Sequence, residues 1–88
     1  MSIPSRYAIG IKPSAEREMK ALPPDILRRA SKAILALETV PRPPGCKKLR
    51  GEARYRVRVG KYRVLYTVDD KARAIEIVSV THRSKAYR

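Results

Sequence analysis

Residues 54–70 read Arg-Tyr-Arg-Val-Arg-Val-Gly-Lys-Tyr-Arg-Val-Leu-Tyr-Thr-Val-Asp-Asp. Successive side chains on a strand point to opposite faces. Over 54–59 this puts Arg54, Arg56 and Arg58 on one face and Tyr55, Val57 and Val59 on the other. Gly60-Lys61 is a two-residue turn signal, and it leads into a second strand, Tyr62–Val68. There Tyr62, Val64, Tyr66 and Val68 share one face, and Arg63, Leu65 and Thr67 the other. Tyr62 and Tyr66 are expected in or at the edge of the core. The hairpin therefore has an apolar side that needs cover and an arginine side that looks outward.

Working outward, Asp69-Asp70-Lys71-Ala72 turns the chain into a third strand, Arg73–Thr81. Upstream, Tyr7, Ile9 and Ile11 alternate as a short first strand, broken at Lys12-Pro13-Ser14. Ser14 is the expected cap of a first helix running to about Leu22, with Ala15, Met19 and Leu22 on one side. Arg17 stands where a full capping box would have an acid. Pro23-Pro24 separates this helix from a second. In the second, Ile26, Leu27, Ala30, Ala33, Ile34 and Leu37 form the apolar stripe, while Arg28, Arg29 and Lys32 take the other face. Thr39–Gly45, with three prolines and a glycine, is a loop. The expected fold is a single α+β domain over residues 1–88. Its order is β-α-α-β-β-β, with an antiparallel sheet and a two-helix hairpin packed on one face.

The chain has 88 residues, with 21 Lys and Arg against 8 Asp and Glu, a formal charge of +13. A chain of this length buries roughly 60–65% of its unfolded surface, enough for one modest core. So large an excess of one sign points to an anionic partner, nucleic acid first, an acidic protein second and a membrane surface third. The excess is placed, not spread. Nine Lys or Arg and a single acid, Glu52, lie between Arg42 and Arg63, and no acid follows Glu76. No apolar run approaches the length of a membrane span, and the N-terminus lacks the apolar stretch of a signal peptide, so the cytoplasm is the expected compartment. Cys46 is the single cysteine, which excludes an internal disulfide and leaves no cysteine set for a metal.

The final strand delivers His82, Arg83 and Tyr87 from its end, and adjacent strands are expected to gather these with Arg63 in one groove. The chain carries no paired carboxylates placed for glycoside chemistry, no metal cluster, no G-x-S-x-G and no phosphate loop. Guanidinium, ammonium, imidazole and phenol remain. That set suits RNA cleavage by the ribose 2′-OH on its own phosphate, where the protein must orient the nucleophile, stabilise charge at phosphorus and move two protons. Arginines, always protonated, supply the charge. An imidazole can carry a proton near neutral pH, so His82 fits a proton shuttle, though it fits a surface residue at a strand end equally well. Tyr87 serves as a base only if neighbouring cations lower its ordinary pKa near 10.

The runs KKLRGEARYRVRVGKYRVLYTVDD (47–70) and IVSVTHRSKAYR (77–88) resemble the second half of RelE-type toxins of the RelE/ParE superfamily. The patterns G-x-YR-x-x-Y, from Gly60, and V-x-HR-x-x-x-Y, from Val80, are the most specific part. The resemblance implies the toxin of a type II toxin–antitoxin system, an endoribonuclease that cuts mRNA in the ribosomal A site without metal or cofactor. By position, it makes Arg63 the contact to the scissile phosphate and Arg83 the arginine at the leaving group. Tyr87 becomes the general base or a base-stacking residue, with His82 as the alternative for proton transfer. Arg56 and Arg58 match a basic pair that is commonly lysine, and arginine there favours phosphate binding over any base role. Lys47, Lys48, Arg50, Arg54, Arg56, Arg58, Lys61 and Lys85 are the expected RNA-binding set. The resemblance also implies a cognate antitoxin, with the ribosome and mRNA as further partners. The superfamily's ParE-type branch, which poisons DNA gyrase without cutting RNA, is the alternative.

Overall fold

A computed structural model describes residues 6–49 and 54–84. The elements are β1 (Ala8–Ile11), α1 (Pro13–Lys20), α2 (Pro24–Ala36), β2 (Lys47–Lys48), β3 (Arg54–Val59), β4 (Tyr62–Asp69) and β5 (Ala74–His82). The α+β class, the helix pair and the β3–β4–β5 antiparallel meander are as the sequence led us to expect.

Two features of the sheet differ from expectation. The strand order is β1-β5-β4-β3-β2, and β1 lies parallel to β5, so the sheet is mixed. A parallel pair needs a long crossover; here α1, α2 and the rest of the sheet intervene between the two strands. The second difference is β2, where Lys47 faces Arg56 and Lys48 faces Tyr55. The Leu49 amide extends this ladder by donating to the Arg54 carbonyl at 2.8 Å. Lysine has little strand preference, so nothing in Lys47-Lys48 announces a strand. The open edge of β3 recruits it.

The helix starts follow from prolines. Pro13 occupies the first turn of α1 and Lys12 the cap position, with no side-chain cap bond. Ser14 therefore sits inside the helix and is not its cap. Proline lacks the N–H that a cap would satisfy, and its fixed φ suits a first turn. Pro23 and Pro24 start α2 in the same way, as expected.

One core lies between the helices and the sheet. Ala15 and Ala30 are fully buried and let the helices approach closely, while Ile34, Leu37, Val59, Val64, Tyr66, Ile75, Ile77 and Val80 fill the interior. Full burial of each large side chain contributes about 1.5–3 kcal/mol. Tyr66 keeps its hydroxyl satisfied by donating to the Pro41 carbonyl at 2.9 Å, and its ring stacks on Tyr55 at 5.8 Å. Arg42 and Asp70 tie the same loop down. Arg42 donates to Asp70 at 2.8 Å and to the Tyr55 hydroxyl at 3.0 Å, and the Tyr7 hydroxyl donates to Asp70 at 2.7 Å.

Strand β5 changes phase part-way. Tyr66 pairs with Ile77 but Leu65 pairs with Ser79, so Val78 is an extra residue, a β-bulge. Before it, odd-numbered residues Ile75 and Ile77 face the core; after it, Val80 does. A bulge re-aims the side chains that follow it. Beyond Ile77 the β1 side of β5 has no strand neighbour among the described residues. The Glu18 carboxylate of α1 fills that edge, accepting the Val80 amide at 2.8 Å and the Ser79 hydroxyl at 3.1 Å.

Candidate nucleic-acid interface

The face of the sheet away from the helices is built by β3, β4 and the end of β5. Register places Arg54 opposite Thr67, Arg56 opposite Leu65 and Arg58 directly opposite Arg63. Thr81 lies across from Arg63 on its other side. Lys47 joins this face through its pairing with Arg56, whereas Lys48, paired with Tyr55, belongs to the helix side.

Arg63 is the centre of this arrangement. It is 8% exposed, the one charged residue buried among those described. Burial, then the charges of Arg56, Arg58 and Arg83, pull its guanidinium pKa below the ordinary value. Arginine remains protonated through such a shift. Like charges placed opposite one another on a sheet are destabilising. The fold nevertheless sets Arg58 and Arg63 opposite each other and brings Arg56 and Arg83 near. Such a cluster is favourable when an anion with several acceptor oxygens enters it.

Arg83 is held at the end of β5 by its amide, which donates to the Lys61 carbonyl at 2.8 Å. Lys61 and Arg83 are both exposed. The bulge at Val78 has already put Thr81 on the Arg63 face, and Arg83, two residues on, acts electrostatically on Arg63.

His82 goes the other way. It pairs with Tyr62, on the helix side, and the two rings meet edge to face at 5.4 Å. Its surroundings there are Glu18, Ala21, Leu22 and Val80. The Ser84 amide donates to His82 Nδ1 at 3.3 Å, which leaves Nε2 as the N–H in the neutral ring. The structure thus joins Arg56, Arg58, Arg63 and Arg83 but separates His82 from them by the thickness of the sheet. Arg50, Lys85 and Tyr87 lie outside the described residues. Arg42, which belongs to the basic run in sequence, is held by Asp70 and does not join the open face. Among the described residues no group of His, Cys, Asp and Glu could hold a metal ion.

A family model for the ParE toxin of type II toxin–antitoxin systems matches residues 9–87. Toxin RelG of Mycobacterium tuberculosis is 35% identical over 86 residues, covering 93% of this chain and 97% of the relative. The chain belongs to the RelE/ParE superfamily. It is a toxin of the type II toxin–antitoxin class. Two solved structures agree. The archaeal RelE–RelB complex from Pyrococcus horikoshii OT3 contains a chain with 31% identity and a TM-score of 0.81, covering 92% of this chain and 99% of that one. The toxin–antitoxin complex RelBE2 from Mycobacterium tuberculosis gives 30% identity and a TM-score of 0.80, with 97% and 100% covered. The toxin's arginine face is therefore carried on a RelE-like fold. No helix among its described residues is long and apolar enough to cross a membrane.

Proposed function

We propose that this toxin is a ribosome-dependent endoribonuclease that cuts mRNA by attack of a ribose 2′-OH on the adjacent phosphorus. The observation that carries the proposal is Arg63, buried and surrounded by Arg56, Arg58 and Arg83 on the open sheet face. The 2′-oxygen forms a bond to phosphorus, the bond to the 5′-oxygen breaks, and a 2′,3′-cyclic phosphate and a free 5′-OH result. Hydrolysis of the cycle leaves a 3′-phosphate. Arg63 and Arg83 stabilise the extra charge at phosphorus, a role in which one donor is worth about 10²–10³ in rate. Guanidinium groups supply that charge, so the mechanism is metal-independent and uses no cofactor. One proton leaves the 2′-OH and one reaches the 5′-oxygen. Tyr87 is assigned to that transfer. His82, the alternative, stands on the helix side of the sheet beside Tyr62. Arg54, Arg56, Arg58, Lys47 and Lys61, with Arg50 and Lys85, hold the RNA; Lys48 would reach it from the sheet edge.

A cognate antitoxin is the proposed protein partner, as in the RelE–RelB complexes, and the cytoplasm, where ribosomes and mRNA meet, is the proposed compartment. The ParE description of the matching family model favours one alternative, a gyrase inhibitor without nuclease activity. Primer extension on a defined mRNA, translated with purified components, separates the two. The nuclease gives new ends inside the A-site codon only when ribosomes are present, and Tyr87→Phe abolishes them. Intact mRNA together with lost gyrase supercoiling would overturn the nuclease assignment.

A further inference from the structure

The sequence places Arg28, Arg29 and Lys32 on the solvent face of α2, which gives them no task. The structure distinguishes Arg29 from the other two. The β3–β4 turn has Gly60 at its first central position with φ +60°, a two-residue hairpin geometry that favours glycine there. A Cβ placed on Gly60 would stand 3.4 Å from Arg29 Nη1 and 3.7 Å from Ile26 Cδ1. Arg29 therefore reaches from the helix layer to the tip of the arginine hairpin. Among the described residues no carboxylate pairs with it, although Asp25 lies one turn earlier on the same helix. Lys61 is the other turn residue, and its carbonyl holds the Arg83 amide. Arg29 and Lys61 thus flank a turn without a side chain at residue 60, next to the end of the open face where Arg58 faces Arg63.

We propose that this turn is a second phosphate-binding point, where Arg29 and Lys61 grip the RNA backbone beyond the linkage held by Arg63. The bare Gly60 backbone lets a phosphate approach both cations. The strand then runs across the open face and around the hairpin tip toward α2. The inference rests on the nuclease assignment for its ligand, an RNA strand, but adds a residue from the opposite layer.

The test is binding of a fully 2′-O-methylated single-stranded RNA, which cannot be cleaved by its own 2′-OH, measured across a salt titration. Arg29→Gln should weaken binding to all sequences alike and flatten the dependence of log K on log salt by about 0.7, one single-strand phosphate contact. Arg29→Lys should keep most of that slope. Arg28→Gln, an equal change of charge on the same helix, should have a smaller effect. Melting temperatures of all variants should match the wild type, since both positions are exposed. If Arg29→Gln and Arg28→Gln behave alike while Arg56→Gln weakens binding, the turn site is wrong and the open-face assignment stands. If the wild type does not bind the RNA, the turn site falls, and the ribosome-dependent cleavage assay decides the open-face assignment separately.

Discussion

Arg63 illustrates how a buried charge is tolerated on a small sheet. Its neighbours across both strands are Arg58 and Thr81, and Arg56, Arg58 and Arg83 all act on it with positive charge. Burial and repulsion both disfavour its charged form, yet the guanidinium does not release its proton near neutral pH, so Arg63 stays a cation among cations. Asp70 is the opposite case. The guanidinium of Arg42 and then the Tyr7 hydroxyl hold its carboxyl below the ordinary value. A carboxyl whose pKa is lowered by folding adds stability that is present above the unfolded pKa, about 3.9, and is lost as pH falls through the folded value. Asp70→Asn should therefore lower the urea midpoint at neutral pH, and the gap from wild type should narrow as pH drops below about 4. A gap that stays constant with pH would show that the Asp70 charge contributes nothing. Tyr66→Phe removes the donor to the Pro41 carbonyl. A loss of about 1 kcal/mol in urea unfolding is expected.

At the scale of elements, β5 decides which side chains meet. Its bulge at Val78 returns Val80 to the core, leaves Arg83 with Arg63 and turns His82 to the helices. The faces of β3 were legible because Arg-Tyr-Arg-Val-Arg-Val alternates without interruption, and those of β4 because Tyr-Arg-Val-Leu-Tyr-Thr-Val breaks alternation only at Leu65. The face of His82 was not legible, since Ile-Val-Ser-Val-Thr-His is apolar or neutral on both sides and shows no break in phase. The parallel pairing of β1 was hidden for a related reason: alternation marks a strand but not its neighbour. Glu18 was also missed, because one acid on a mixed-charge helix carries no sign that it will cap a strand edge. Glu18→Ala leaves the Val80 amide without its acceptor. We expect a loss of about 1–3 kcal/mol in urea unfolding, the range for a part-buried group left unsatisfied. Glu16→Ala, at an exposed site of the same helix, should change stability by less than about 0.5 kcal/mol.

For the whole molecule, the layers divide the charge. The mixed charges Glu16, Glu18 and Asp25 lie with the helices, and the arginines of β3 and β4 lie on the sheet. Composition alone shows the +13 excess, but only the register shows that it converges on Arg63. The central claim is that the reaction occurs on the open sheet face and not on the helix side. It is tested most directly by mRNA cleavage on purified ribosomes at saturating toxin, comparing Arg63→Ala with His82→Ala, each confirmed folded by circular dichroism. The open-face site predicts a loss of about 10²–10³ in cleavage rate for Arg63→Ala, with His82→Ala within a few-fold of wild type. Full activity in Arg63→Ala with loss of activity in His82→Ala would contradict it and place the chemistry beside Tyr62.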